Sequence, residues 1–280
     1  MRALTFLARR FVAGDTVDDA LEAVRALNAD GIKATLDNLG EDSLTRAQAL
    51  AAAEQNLLML RRIAETGVDA NISLKLTQLG LAFDEGLCRE SLLKIVEEAA
   101  RRKNFVRIDM EGSAWTQKTL DLFYSLHDAH PNVGIVLQSM LRRSEGDARE
   151  AAARGARVRL VKGAYKEPHA IAYPTKDEVN AAYDRCAALL AKAPLPAFGT
   201  HDDARIDAAL KACDAAGLVK TDYEIQMLYG LRAKRWRELR AAGHTVRVYV
   251  PYGSHWFPYF YRRLRERKEN LLFVLRNLFE

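Results

Sequence analysis

Eight short, strand-like runs recur along this 280-residue chain, each separated from the next by a longer amphipathic stretch. The runs are Lys33–Leu39, Asn71–Leu76, Phe105–Met110, Gly134–Gln138, Val158–Lys162, Ala197–Thr200, Tyr223–Leu228 and Thr245–Val250. Several are apolar nearly throughout, the pattern of strands covered on both faces. The stretches between them read as helices: Leu44–Glu65 after a Ser43 cap, Glu85–Arg102, Thr116–His130, Glu145–Arg154, Lys176–Lys192, Asp203–Ala216 and Arg232–Ala242. Gly67, Gly155, Gly217 and Gly243 stand where helical C-termini want a left-handed residue. No Gly/Ser/Pro linker interrupts the alternation. The expectation is therefore an α/β fold, a single (β/α)8 TIM-type barrel spanning 31–280, preceded by a helical segment over 1–30.

Composition narrows the function classes. The chain is 49% hydrophobic, ordinary for a globular protein. No run approaches the ~18 apolar residues of a membrane span. Net charge is +5, but the basic residues are scattered and no aromatic-basic platform accompanies them, so nucleic acid is not the expected partner. The three cysteines have no metal-type spacing and read as reduced thiols in a cytoplasmic setting. A metal centre is not expected, because no His-Glu-x-x-His and no clustered His or carboxylate appears. The absence of a Gly-x-Gly-x-x-Gly or P-loop disfavours a Rossmann-bound nicotinamide or a nucleotide hydrolase.

In a barrel of this kind chemistry gathers at the C-terminal ends of the strands. Those ends carry Lys75, Asp109, Gln138, Arg159, Lys162, Thr200-His201-Asp202, Gln226 and Tyr249. Each has a plain structural reading: Lys75 a snorkelling side chain, His201 a satisfied core residue, Asp202 the N-cap of the next helix. Together they describe one polar rim. Past the last strand, Tyr259, Arg262, Arg263 and Glu266 lie at i, i+3, i+4 and i+7, one face of a helix. Such a stripe is more often an exposed salt-bridge ladder. Beside a polar rim it also suits a zwitterion, with forked arginines for a carboxylate and a glutamate for an ammonium. The surplus of cations, Lys75, Arg159, Lys162, Arg262 and Arg263 against Asp109 and Glu266, points to an anionic ligand. Lys162-Gly163-Ala164 leaves room for main-chain N–H groups to approach a phosphate.

These segments resemble the flavin-dependent proline dehydrogenases. The resemblance rests on Ser73-Leu-Lys-Leu-Thr, Arg159-Leu-Val-Lys-Gly-Ala-Tyr, Thr200-His201, Glu224-Ile-Gln-Met-Leu-Tyr-Gly, Tyr249-Val-Pro-Tyr-Gly and Tyr259-x-x-Arg-Arg-x-x-Glu. They run in order across nearly the whole chain, and their length is that of the short, monofunctional bacterial form. The resemblance implies a last helix lying over the C-terminal rim and FAD held within it. It implies that Arg262 and Arg263 hold the proline carboxylate within a frame completed by Glu266 and Lys75. Asp109, Tyr249, Tyr259 and Leu228 would line the substrate pocket, with Asp109 and Arg159 at the reacting centre. Arg159 would lie near the flavin N5 edge and Gln138 near its ring. Met110, Val161, Lys162, Gly163, Ala164, Thr200, His201 and Gln226 would serve the rest of the FAD. Lys166 departs from the pattern, since many relatives have Trp there.

The activity so implied is hydride transfer from L-proline to FAD, giving 1-pyrroline-5-carboxylate, with the electrons passed to a quinone. It is the first step of proline degradation to glutamate. The implied partners are the quinone, transient contact with an anionic membrane surface, and pyrroline-5-carboxylate dehydrogenase. The expected location is the cytoplasm, peripheral to the inner face of the cell membrane. Two other readings stand beside this one. A Schiff-base aldolase on the same barrel would use Lys75 or Lys162. A catalytically dead amino-acid sensor would keep the arginine pair and lose the flavin contacts.

Overall fold

The computed structural model describes residues 9–40, 42–257 and 259. Eight parallel strands close into a barrel in sequence order. They are β1 (Lys33–Asn38), β2 (Ala70–Leu74), β3 (Val106–Ile108), β4 (Val133–Gln138), β5 (Val158–Val161), β6 (Ala197–Gly199), β7 (Glu224–Leu228) and β8 (Thr245–Tyr252). The ring closes through β8 and β1, with Thr35 opposite Tyr249 and Asp37 opposite Pro251. Each expected strand is present, with its ends moved by at most two residues.

The helices are α1 (Val17–Ala29), α2 (Arg46–Thr66), α3 (Glu85–Arg101), α4 (Ser113–His127), α5 (Ser144–Ala153), α6 (Lys176–Leu190), α7 (Asp203–Ala215) and α8 (Ala233–Ala241). The last seven each follow a strand. Helix α1 precedes β1 and packs against both β1 and β8, so it covers the seam where the barrel closes. The glycines expected to end helices, Gly67, Gly155, Gly217 and Gly243, all have positive φ. One expected cap is corrected. Ser43 does not cap α2; its hydroxyl donates to the Gln78 carbonyl. Thr45 is the cap, in a reciprocal box with Gln48, because Thr-x-x-Gln satisfies two end N–H groups at once. Helix α4 begins three residues before its expected start at Thr116, since Glu167 reaches across to accept from the Ser113 N–H at 2.7 Å.

Between strands and helices the core is apolar, with Leu36, Ile72, Ile108, Ile135, Leu160, Phe198, Ile225 and Val248 all fully buried. The inside of the barrel is different. Branched aliphatics normally fill that axis. Here the alternate, inward positions carry Thr35, Asp37, Asn71, Ser73, Arg107, Gln138, Arg159, Gln226 and Arg247, all buried. The outward residues on the same strands meet the helices, so period-two alternation separates an apolar shell from a polar axis. The candidate helix carrying Arg262, Arg263 and Glu266, and the first eight residues of the 1–30 segment, lie outside the described residues.

Candidate active site at the strand ends

The polar axis is one connected network. At the β1–β2 side, Lys75 Nζ reaches both oxygens of Asp37, at 3.1 and 3.0 Å. Burial works to lower the Lys75 pKa, but the carboxylates of Asp37, Asp109 and Glu111 outweigh it and hold the ammonium above its ordinary range. Across the axis, Asp109 accepts from Ser73 Oγ at 2.9 Å, Arg159 Nη1 at 2.8 Å and Tyr249 Oη at 2.7 Å. Donors from three strands thus converge on one carboxylate at the end of a fourth. The guanidinium of Arg159 lies over the Tyr249 ring, 5.3 Å from its centroid. Its Nε donates to Gln226 Oε1 at 2.6 Å. Its Nη2 is buried with no partner among the described residues. Burial, then the Asp109 and Asp37 charges, push the Tyr249 hydroxyl well above the phenol range, so it stays a donor.

The β5–β7 side carries a second group. Lys162 Nζ pairs with Asp202 at 2.7 Å, and Asp202 also caps α7 through the Ala204 N–H, as its position suggested. His201 Nε2 accepts from the Leu228 N–H at 2.9 Å, which places any ring proton on Nδ1 of the neutral form. Thr200 Oγ1 accepts from the Asp202 N–H. Val161, Lys162 and Gly163 are half-buried and Ala164 is exposed on the rim. Met110 is buried, and Gln138 donates to the Glu111 carbonyl at 2.8 Å. Tyr259, the described member of the stripe, is buried with Val12 and Leu39.

An open cavity of about 370 Å³ adjoins the axis at Lys75, lined also by Glu111, Trp115, Tyr165 and Lys166. Glu111 accepts from the Thr77 N–H and hydroxyl, while burial raises its pKa against those bonds.

The structure corrects the expected charge balance. Lys75, Arg159 and Lys162 each have a carboxylate, in Asp37, Asp109 and Asp202. Counting Asp37 and Asp202 cuts the surplus from three to one, five cations against four carboxylates, and removes it among the described residues. Arg262, Arg263 and Glu266, the remaining charges of that tally, lie outside the described residues. Asp37 and Arg247 are the residues that sequence reasoning passed over, and Glu224, read there as part of the seventh strand's polar end, was given no role and opens the strand instead. A signal existed: each is a charge at an inward alternate position of an otherwise apolar strand, which solvent exposure cannot explain.

The family profile described as "Proline dehydrogenase" matches residues 20–276. Proline dehydrogenase 1 of Bacillus subtilis (strain 168) is 38% identical over 272 residues, covering 97% of this chain and 90% of its own length. The proline dehydrogenase of Deinococcus radiodurans is 37% identical over 278 residues, with the same coverage of 97% and 90%. Among solved structures, proline utilization A from Bdellovibrio bacteriovorus, inactivated by N-propargylglycine, superposes with a TM-score of 0.89 at 24% identity. It covers 96% of this chain, which spans only 33% of that longer one.

Proposed function

The chain belongs to the proline dehydrogenase family and oxidises proline, the first step of its degradation; from that premise we propose that the strand-end network holds FAD and passes the electrons to a quinone. The observation that carries the cofactor is Arg159 Nη2, a buried cationic donor with no partner among the described residues. A buried guanidinium nitrogen left unbonded costs stability unless a ligand takes it. FAD, when bound, would supply the acceptor for the hydride leaving the proline ring carbon beside nitrogen, and loss of the nitrogen's proton to solvent would complete the C=N bond of 1-pyrroline-5-carboxylate.

Arg159 supplies a fixed positive charge beside the ring, worth most where electron density arrives. Gln138, Met110, Lys162, Gly163, Ala164, Val161, Thr200, His201 and Gln226 are the residues proposed to hold the rest of the cofactor. The substrate pocket is proposed between Asp109, Tyr249, Tyr259, Leu228 and Lys75, with Arg262, Arg263 and Glu266 taking the carboxylate and its charge frame. Asp109 and Tyr249 act as a rigid wall, since the carboxylate accepts from three side chains at once. Lys75 contributes its charge through Asp37 rather than as a nucleophile. A Schiff-base lysine needs a depressed pKa, and the Asp37 pair drives Lys75 the other way. That disfavours the aldolase. No helix among the described residues is long and apolar enough to cross a membrane. We place the protein in the cytoplasm, touching the inner membrane face where a quinone is reached, with pyrroline-5-carboxylate dehydrogenase taking its product.

The test is optical. Purified protein should be yellow, or turn so with FAD, and L-proline should bleach the flavin bands without oxygen. A colourless protein showing no bleaching after FAD is added sinks the reading. Arg263→Met should raise the proline KM at least about tenfold, the weight of one charge-assisted hydrogen bond; steady-state kinetics checks it.

A further inference from the structure

Below the rim, the network continues towards the N-terminal end of the barrel through Glu224 and Arg247, which have no role in the reading above. Glu224 opens β7 and faces Arg247 on β8 in a two-point pair, Nη2 to Oε1 at 2.8 Å and Nε to Oε2 at 2.8 Å. Arg247 is fastened in turn to the barrel wall, its Nη1 donating to the Ala34 carbonyl at 2.6 Å. Glu224 Oε2 also accepts from Gln226 Nε2 at 2.7 Å. Glu224 and Gln226 are i and i+2 on one strand, so both side chains enter the barrel interior. Gln226 Oε1 then accepts from Arg159 Nε at 2.6 Å.

The amide of Gln226 therefore lies between a group that only accepts and a group that only donates. An ionised carboxylate has no proton to give, and a guanidinium has no lone pair to offer. One orientation of the amide satisfies both neighbours, and the flipped one opposes NH2 to N–H and oxygen to oxygen. Arg159 is in this way gripped at both sides, by Gln226 at Nε and by Asp109 and Ser73 at Nη1. What is left over is Nη2. Arg247 cancels the charge of Glu224, so the acid can sit in the barrel without repelling Asp109.

We propose that Glu224 is a positioning residue for Arg159: through the Gln226 amide it fixes the roll of the guanidinium so that Nη2 is the donor presented to the bound cofactor. This rests on the reading of a bound flavin. Loosening the grip lets Arg159 rotate, and the reduced, negatively charged ring then loses part of its cationic partner.

The experiment is a double-mutant cycle on flavin-loaded full-length protein, using E224Q, Q226L and the pair together, read by flavin midpoint potential, visible spectrum and kcat. Each single variant should lower the midpoint potential in the direction that R159M does, and reduce kcat about tenfold. E224Q should add nothing further in the Q226L background, because its effect runs through that amide. A lowered Tm in E224Q with potential and spectrum at the wild-type values overturns the proposal, as do effects that add. Should E224Q fail to fold, E224D takes its place, keeping the charge beside Arg247 while shortening the reach to the Gln226 amide; an unchanged potential is then fatal. Wild-type protein that takes up no FAD overturns the flavin reading itself, whereas variants loaded with flavin at the wild-type potential overturn only the role of Glu224.

Discussion

Arg107 and Arg159 point into the same barrel and are both buried, at 2% and 5% exposure, yet they are set up for opposite tasks. Their neighbours on β4 give their relative depth: Arg107 pairs with Gly134 and Arg159 with Val136, so Arg107 lies nearer the N-terminal ends. Arg107 donates Nη1 to the carbonyls of Ile135 and Arg157. With Arg157 it brackets the Phe105 ring, the two guanidinium carbons 4.7 and 3.9 Å from its centroid. Main-chain carbonyls and a π face hold such a cation without an acid, with Nε left unpartnered among the described residues. Burial, then Arg159 and Arg157, push its pKa well down. Arg159 instead has a carboxylate, a hydroxyl and an amide, and keeps a terminal nitrogen for something else. Each keeps one buried nitrogen without a partner among the described residues, Nε in Arg107 and the terminal Nη2 in Arg159; a buried cation is set up for a ligand when the donor held back is a terminal one.

That contrast can be broken most directly at Arg159. R159M should lower kcat by roughly 10²–10³, the loss expected for one preorganised donor, with a modest change in Tm; rapid-reaction kinetics beside a thermal melt measures both. A collapse of Tm with normal kcat in the folded fraction would make the two arginines alike. Next comes the deep end. A Cβ on Gly134 would meet the Arg157 carbonyl at 2.5 Å, Phe105 Cζ at 2.6 Å and Arg107 Nη1 at 2.7 Å. Gly134→Ala should cost about 1–3 kcal/mol by overpacking and leave kcat of the folded enzyme near normal, as calorimetry and kinetics together would reveal.

Glu224 gives a smaller effect, read through pH. Burial opposes its ionisation, but Arg247 and Gln226 bring the Glu224 pKa down to about 2. Stability from that depression is present above the unfolded value near 4.3 and is lost as pH falls towards 2. E224Q should flatten the acid limb of a Tm–pH curve in that window, by something on the order of 1–2 kcal/mol; a limb as steep as wild type would mean the pair is not the source. Smallest is Tyr249→Phe, which removes the 2.7 Å bond to Asp109. Other donors remain on that carboxylate, so kcat/KM should drop by only about 0.5–1.5 kcal/mol, a few-fold to roughly tenfold. A hundredfold loss would promote the hydroxyl from wall to reacting group.

Much of the site could be read in the chain because strand-end polar residues are conspicuous there. Lys75, Asp109 and Lys162 each break an apolar run just past a strand end, where a barrel places its chemistry, and Arg159 and Gln226 break theirs within β5 and β7. Asp37 and Arg247 break their runs too, but a lone charge within a strand does not say which charge it meets. Lys75 was expected to frame a ligand with Glu266, and among the described residues it holds Asp37, which comes 38 residues earlier. The Glu167 cap on α4 spans 54 residues and has no local signature at all.

The amino-acid order by itself determined the alternation of strands and helices, the helix ends at Gly67, Gly155, Gly217 and Gly243, and which residues face into the barrel. These depend on periodicity, backbone sterics and capping, all local along the chain. Only the closed barrel decided who pairs with whom. The angular order of eight strands brings Arg159 of β5 to Ser73 and Asp109 near the ends of β2 and β3 and to Gln226 of β7, contacts whose partners lie 50 to 86 residues apart. Pairing of buried charges is settled by proximity in a low-dielectric interior, and proximity there is a property of ring closure.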